Sequence, residues 1–109
     1  MKMNNIKQLL IASIFVATPV FAGGNADAGK EKSAMCAGCH GADGNSEITA
    51  NPKLAGQYQT YLLNALKDYK SGKRQDLVMG GMVASLTDQD LKDLAAFFSE
   101  QKSTLTVLP

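Results

Sequence analysis

The chain is poor in residues on which catalytic and disulfide-braced domains depend. Its 109 residues include no tryptophan, one histidine and two cysteines. With no second imidazole and no indole, distal acid–base or radical chemistry has no obvious agent, which weighs against an enzyme. Two cysteines three positions apart close a loop too short to restrict the unfolded chain much, so a disulfide framework is not what stabilises it. There is no run of like charge, and the formal balance is only +1. Neither nucleic acid nor a polybasic contact with lipid is called for. The longest apolar run, Leu9 to Ala17 interrupted by Ser13, is short for a membrane span and is followed by Pro19. A chain of this length holds one small domain, which buries little apolar surface alone and needs a bound group to complete a core.

The first 22 residues read as a secretory signal peptide. Lys2 and Lys7 form a positive start, Leu9 to Ala17 the apolar centre, and Val20-Phe21-Ala22 a small-residue cleavage site. Residues 23–109 then form the exported domain, expected in the periplasm after passage through the Sec pathway, with no stable membrane span once the signal is cleaved. A retained anchor is the alternative. Losing Lys2 and Lys7 moves the formal charge from +1 to about −1.

Both cysteines and the only histidine fall within Cys36-Ala37-Gly38-Cys39-His40. The two thiols stand about one helical turn apart, and the imidazole follows directly. This is the C-x-x-C-H attachment signature of a c-type haem, in which Cys36 and Cys39 bond the macrocycle and His40 takes one axial position on iron. A structural zinc site would need a carboxylate as fourth ligand. A thioredoxin-like redox pair would need a βαβ pattern and leaves His40 without a purpose.

Asn25 is a good N-cap for a helix from Ala26 to about Cys36, with Asp27 in its first turn and Gly29 at a close crossing by another helix. Gly41 to Gly56 reads as loop, with Gly41 and Gly44 either forming turns or letting backbone approach the haem edge. In that loop the Pro52 carbonyl is free to accept the other ring proton of His40. Tyr58 to Lys70 is a helix whose stripe Tyr58, Tyr61, Leu62, Ala65, Leu66 and Tyr69 is expected to face the core, with Gly72 stopping it. Lys67, Lys70, Lys73 and Arg74 gather at its end, as a solvated complement to the dipole or as a docking patch for an acidic redox partner. Leu77 to Ser85 reads as an unusually apolar loop lying over something greasy. Thr87 begins the last helix with Asp90 as a capping-box partner, and Leu91, Leu94, Ala95 and Phe98 form its inner face, with Phe97 flanking it. Ser103 to Pro109 has no assigned role.

The set Asp27-Ala28-Gly29-Lys30, the Cys36 to Gly41 motif, Asn51-Pro52-Lys53-Leu54-Ala55-Gly56, Tyr61-Leu62-Leu63 with Lys70-Ser71-Gly72-Lys73-Arg74, Met79-Gly80-Gly81-Met82 and Asp93-Leu94-Ala95-Ala96-Phe97-Phe98 resembles a class I cytochrome c. Within that class it is most similar to the bacterial c4 and c553 type, in single-domain form. The resemblance implies an all-α fold of three main helices and loops around one covalent haem c. It implies terminal helices crossing at Gly29 and Phe97, the Pro52 carbonyl accepting from His40, and Met79 as sixth ligand. Position also favours Met79 over Met82, because the glycine pair after it would let backbone fold around a ligand. The implied role is one-electron transport between redox protein partners, not catalysis. The alternatives are a haem enzyme or gas sensor with an exchangeable sixth ligand, or a permanent electron-transfer subunit of a larger dehydrogenase.

Overall fold

The computed structural model describes residues 11–15 and 23–105, and most of the proposed signal segment, including its cleavage site, lies outside them. Ile11, Ile14 and Phe15 are almost fully exposed. Among the described residues five helices run in order: α1 (Ala26–Lys32), α2 (Ala34–His40), α3 (Gln59–Ser71), α4 (Leu77–Val83) and α5 (Asp88–Ser99). No strand occurs among the described residues.

The helix ends follow local chemistry. Asn25 caps α1, its side chain accepting from the N–H groups of Asp27 (2.9 Å) and Ala28 (3.2 Å). Gly72 ends α3 in the left-handed conformation at φ 81°. Thr87 and Asp90 close a reciprocal capping box on α5, at 2.9 and 3.1 Å.

Two expectations fail. The single helix from Ala26 to Cys36 is divided at Ser33, whose buried hydroxyl donates to the Lys30 carbonyl at 2.7 Å and competes with the helical ladder. The cysteine–histidine motif therefore has a short helix of its own. The apolar loop from Leu77 to Ser85 is mostly helix α4, started by Asp76, which accepts from the Met79 N–H at 2.8 Å. Such a cap contributes about 0.5–2 kcal/mol and offsets much of the roughly 1 kcal/mol that each of Gly80 and Gly81 costs in a helix. Leu77 is almost fully exposed and Val78 largely so, while Val83 is fully buried; Val78, Met79, Met82 and Val83 nonetheless lie over an apolar hollow, as expected of this stretch.

The core is built on α5. Leu91, Leu94, Ala95, Ala96, Phe97 and Phe98 are all buried, so the helix is covered on more than the one face its periodicity indicates. Helix α1 packs on one side and α3 on another. At the first crossing, a Cβ on Gly29 would strike the Asp93 carbonyl and lie 2.8 Å from Phe97 Cβ, so the close approach expected there is present.

Asp93, only 3% exposed, is the one buried carboxylate among the described residues and had no expected role. Its carboxylate accepts from the Asn25 N–H (2.8 Å), Lys32 Nζ (2.6 Å) and Gln89 Nε2 (2.8 Å), so every approach to it is partnered. Lys32 also reaches Asp90 at 2.7 Å. The ties join the first turn of the domain to its last helix.

Candidate cofactor-binding site

Between α2, α3, α4 and α5 lies a cavity of about 360 Å³ with mainly apolar walls. Helix α2 contributes Cys36, Cys39 and His40, and the following loop contributes Asn51 to Leu54. From α3 come Tyr61, Leu62, Ala65, Leu66 and Tyr69, from α4 Met79 and Met82, and from α5 Leu94, Ala95 and Phe98. The α3 stripe thus faces this cavity more than protein core. Of its members only Leu62 is buried, and Tyr58 and Tyr61 are largely exposed.

His40 is buried at the end of α2, and its Nδ1 lies 2.9 Å from the Pro52 carbonyl oxygen. A carbonyl can only accept, so Nδ1 carries the proton and Nε2 keeps the lone pair a metal needs. Sequence reasoning missed two residues that support this turn. Ser46 Oγ and Asn51 Nδ2 both donate to the Cys39 carbonyl, at 3.1 and 3.0 Å, satisfying the C-terminal end of α2. The short sequence distances, seven and twelve residues, were a usable signal that polar loop residues fold back on the helix end.

The two sulfurs are free thiols, Cys36 half-buried and Cys39 exposed. Burial, with a smaller contribution from Cys39, pushes the Cys36 thiol up, the reverse of the activation a disulfide-exchange site needs. Among the described residues no carboxylate joins these side chains in a group able to hold a metal ion, so a zinc tetrahedron lacks its fourth ligand.

Met79 and Met82, three apart on α4, both line the cavity, Met79 half-buried and Met82 36% exposed. The glycine argument for Met79 does not hold: Gly80 and Gly81 lie inside the helix, not in a tight loop around a ligand. A Cβ on Gly81 would meet nothing within 4 Å. Gly41 and Gly44 have positive φ and do not line the cavity; a Cβ on Gly44 would meet Phe98 at 2.8 Å and Ala55 N at 2.9 Å. They serve the turn and its packing. The basic group after α3 divides: Arg74 lies 4.7 Å from the Tyr69 ring centroid and lines the cavity, while Lys70 donates to the Leu86 carbonyl.

A helical shell around an apolar cavity, with a C-x-x-C-H turn on its wall, points to a class: helical proteins that carry a covalently attached macrocycle. The chain belongs to the cytochrome c family, whose model matches residues 26–102. It is 46% identical over 103 residues to cytochrome c4 of Pseudomonas aeruginosa, a match covering 94% of this chain and 51% of that protein. It is 39% identical over 82 residues to cytochrome c-554(548) of Halomonas halodenitrificans, covering 72% of this chain and 99% of that one. The crystal structure of reduced recombinant cytochrome c4 from Pseudomonas stutzeri superposes with a TM-score of 0.72 at 48% identity, covering 75% of this chain and 48% of the other. The chain thus spans about half the length of the cytochrome c4 proteins it matches.

Family membership implies a covalently attached haem c, with its iron, as cofactor. The residues present fit it: two thiols one turn apart, a buried imidazole held in the Nδ1–H tautomer, thioethers on α4, and apolar walls between.

Proposed function

We propose that the chain is a periplasmic electron carrier that passes one electron at a time between redox protein partners, exported by a signal peptide in residues 1–22. The observation that carries this is the His40 Nδ1 to Pro52 carbonyl contact of 2.9 Å beside two free thiols on an apolar cavity. In this proposal Cys36 and Cys39 form the covalent attachments, His40 Nε2 is the proximal ligand, and Met79 the distal one, with Met82 as the alternative. Met79 is favoured because it is the more buried of the two and its backbone is fixed by the Asp76 cap.

Haem c supplies a one-electron iron couple when bound. The chain's residues set the conditions for it. Pro52 fixes the imidazole plane and raises its basicity. Leu62, Leu66, Leu94 and Phe98 keep water from the cavity wall, and low polarity disfavours the extra charge of the oxidised state. With His40 and Met79 both holding the iron, no position would remain for a substrate, and a lone histidine leaves no second imidazole to move protons. The proposed activity is therefore transfer, not catalysis.

The test is the optical spectrum of the exported protein, oxidised and reduced. Low-spin bands, a weak methionine-to-iron charge-transfer band, and haem that stays with the protein in acid-acetone are expected. Extractable haem, or a high-spin spectrum that changes on adding external ligands, would reject the carrier reading in favour of an open-site enzyme or sensor.

A further inference from the structure

The stretch from Gln101 to Thr104, after α5, contributes nothing to the cavity wall, yet it is fastened across the loop between α2 and α3. Asn45 is the central tie: its Nδ2 donates to the Lys102 carbonyl at 2.9 Å, and its Oδ1 accepts from Thr104 N at 2.8 Å and Thr104 Oγ1 at 3.0 Å. Asp43 holds Asn45 in place, accepting from its N–H at 3.0 Å and from its Nδ2 at 2.9 Å. Thr104 Oγ1 accepts in turn from Lys53 Nζ at 2.9 Å. Lys53 is the residue after Pro52. Farther along the loop, a Cβ on Gly56 would lie 3.2 Å from Ser103 Cβ, so the tail also lies against the loop's end.

We propose that this tail is a strap, and that Asn45 and Thr104 are positioning residues which, through Lys53, hold the Pro52 carbonyl on His40 Nδ1. The proposal rests on His40 being the proximal ligand. The loop is also held by Ser46 and Asn51 on the Cys39 carbonyl and by the Leu54 N–H, which donates to the Gly44 carbonyl at 2.7 Å; the strap adds a tie from the stretch after α5. Without the strap, the Pro52 carbonyl drifts from the imidazole, the ligand becomes less basic, and the oxidised state loses stabilisation. The reduction potential therefore rises.

The experiment uses the full haem-loaded protein, whose absorption bands are checked first; a wild type without attached haem refutes the reading of the site and is seen before any variant is compared. In the reduced state, the solvent-exchange rate of the His40 Nδ1 proton is measured by NMR, and the midpoint potential by titration. Asn45→Ala and Thr104→Val should each speed exchange several-fold. Each should raise the potential by about threefold in the redox equilibrium, roughly 30 mV for one electron, part of the ten- to hundredfold that losing a ligand's outer partner costs. Thr104→Ser, which keeps the hydroxyl, should restore both. Thr87→Ala removes the α5 cap, which bonds only Asp90 and no residue of the loop, and should lower the melting temperature without moving either readout. If Asn45→Ala fails to accumulate, Thr104→Val decides. Wild-type exchange and potential in the strap variants, whatever their melting temperature, would overturn the proposal, as would equal shifts in Thr87→Ala.

Discussion

Replacing Gly29 by alanine adds one carbon where α1 crosses α5. That carbon would overlap the Asp93 carbonyl oxygen and lie 2.6 Å from the Asp93 carbonyl carbon and 2.8 Å from Phe97 Cβ. Two of these obstacles are backbone and the third is the root of a side chain, so no rotamer change relieves the contact. The helices must separate. Overpacking a dense core costs about 1–3 kcal/mol, and rigid obstacles place this site near the upper end. Alanine recovers about 1 kcal/mol over glycine in a helix interior. The net destabilisation is about 2 kcal/mol, and a β-branched valine should cost more. In a domain of this size each kcal/mol moves the midpoint by about 4–8 °C, so Gly29→Ala should melt roughly 8–16 °C lower.

The assay is thermal unfolding of the cofactor-loaded protein, followed by far-ultraviolet circular dichroism. Gly38, inside α2, is the internal control, because a Cβ there meets nothing within 4 Å. Gly38→Ala should gain up to about 1 kcal/mol from helix propensity alone. If Gly29→Ala melts at or above wild type, moving with Gly38→Ala, the tight crossing does not hold the terminal helices together.

Three further outcomes are expected. Cys39→Ser should leave haem attached through Cys36 alone, or little mature protein at all, as judged by haem stain on a denaturing gel; unchanged two-bond attachment by mass spectrometry would refute the role of Cys39. Met79→Ala should abolish the charge-transfer band and admit external ligands, whereas Met82→Ala should mainly lower stability; the reverse pattern would exchange the two assignments. The Asp93 clamp should make stability fall in acid. Burial pushes the Asp93 carboxyl up, but Lys32, the Asn25 N–H and Gln89 outweigh it and hold the carboxyl below the ordinary carboxylate value; Lys32 also lowers Asp90. A depressed carboxylate stabilises above its unfolded pKa, about 3.9, and loses that contribution as pH falls through the lower folded value. Lys32, raised by Asp90 and then Asp93, contributes below its unfolded pKa of about 10.4 and loses it at still higher pH. Asp93→Asn should therefore start less stable at neutral pH and fall less on acidification; parallel melting curves for the two proteins would contradict this.

What was legible in the sequence follows from how far apart the interacting residues lie. The cysteine–histidine turn fits in five consecutive residues, and α3 and α5 announce themselves by periodicity and by caps within a few positions. Helix α4 was missed because its own seven residues, Leu77 to Val83, carry a glycine pair and no polar face; its cap, Asp76, stands just outside the window that looked like loop. The break at Ser33 was missed for a related reason, since the residues on both sides favour helix and only the hydroxyl's bond to Lys30 divides them.

The supports were invisible for a stronger reason. Asn45 and Thr104 are 59 residues apart, and Asn25 and Asp93 are 68 apart, and single polar residues of these kinds are ordinary on any solvated loop or helix. Nothing local marks Asp93 as a buried group with three donors rather than an exposed charge. A cofactor concentrates recognisable chemistry in a short motif because covalent and axial bonds need thiols and an imidazole at fixed spacing. Its scaffold is under no such demand. Many polar pairs can hold a loop at a given distance, so their identity becomes readable only when folding brings them together. The residues that would touch haem are thus the most legible part of this chain, and those that hold these residues in place are the least.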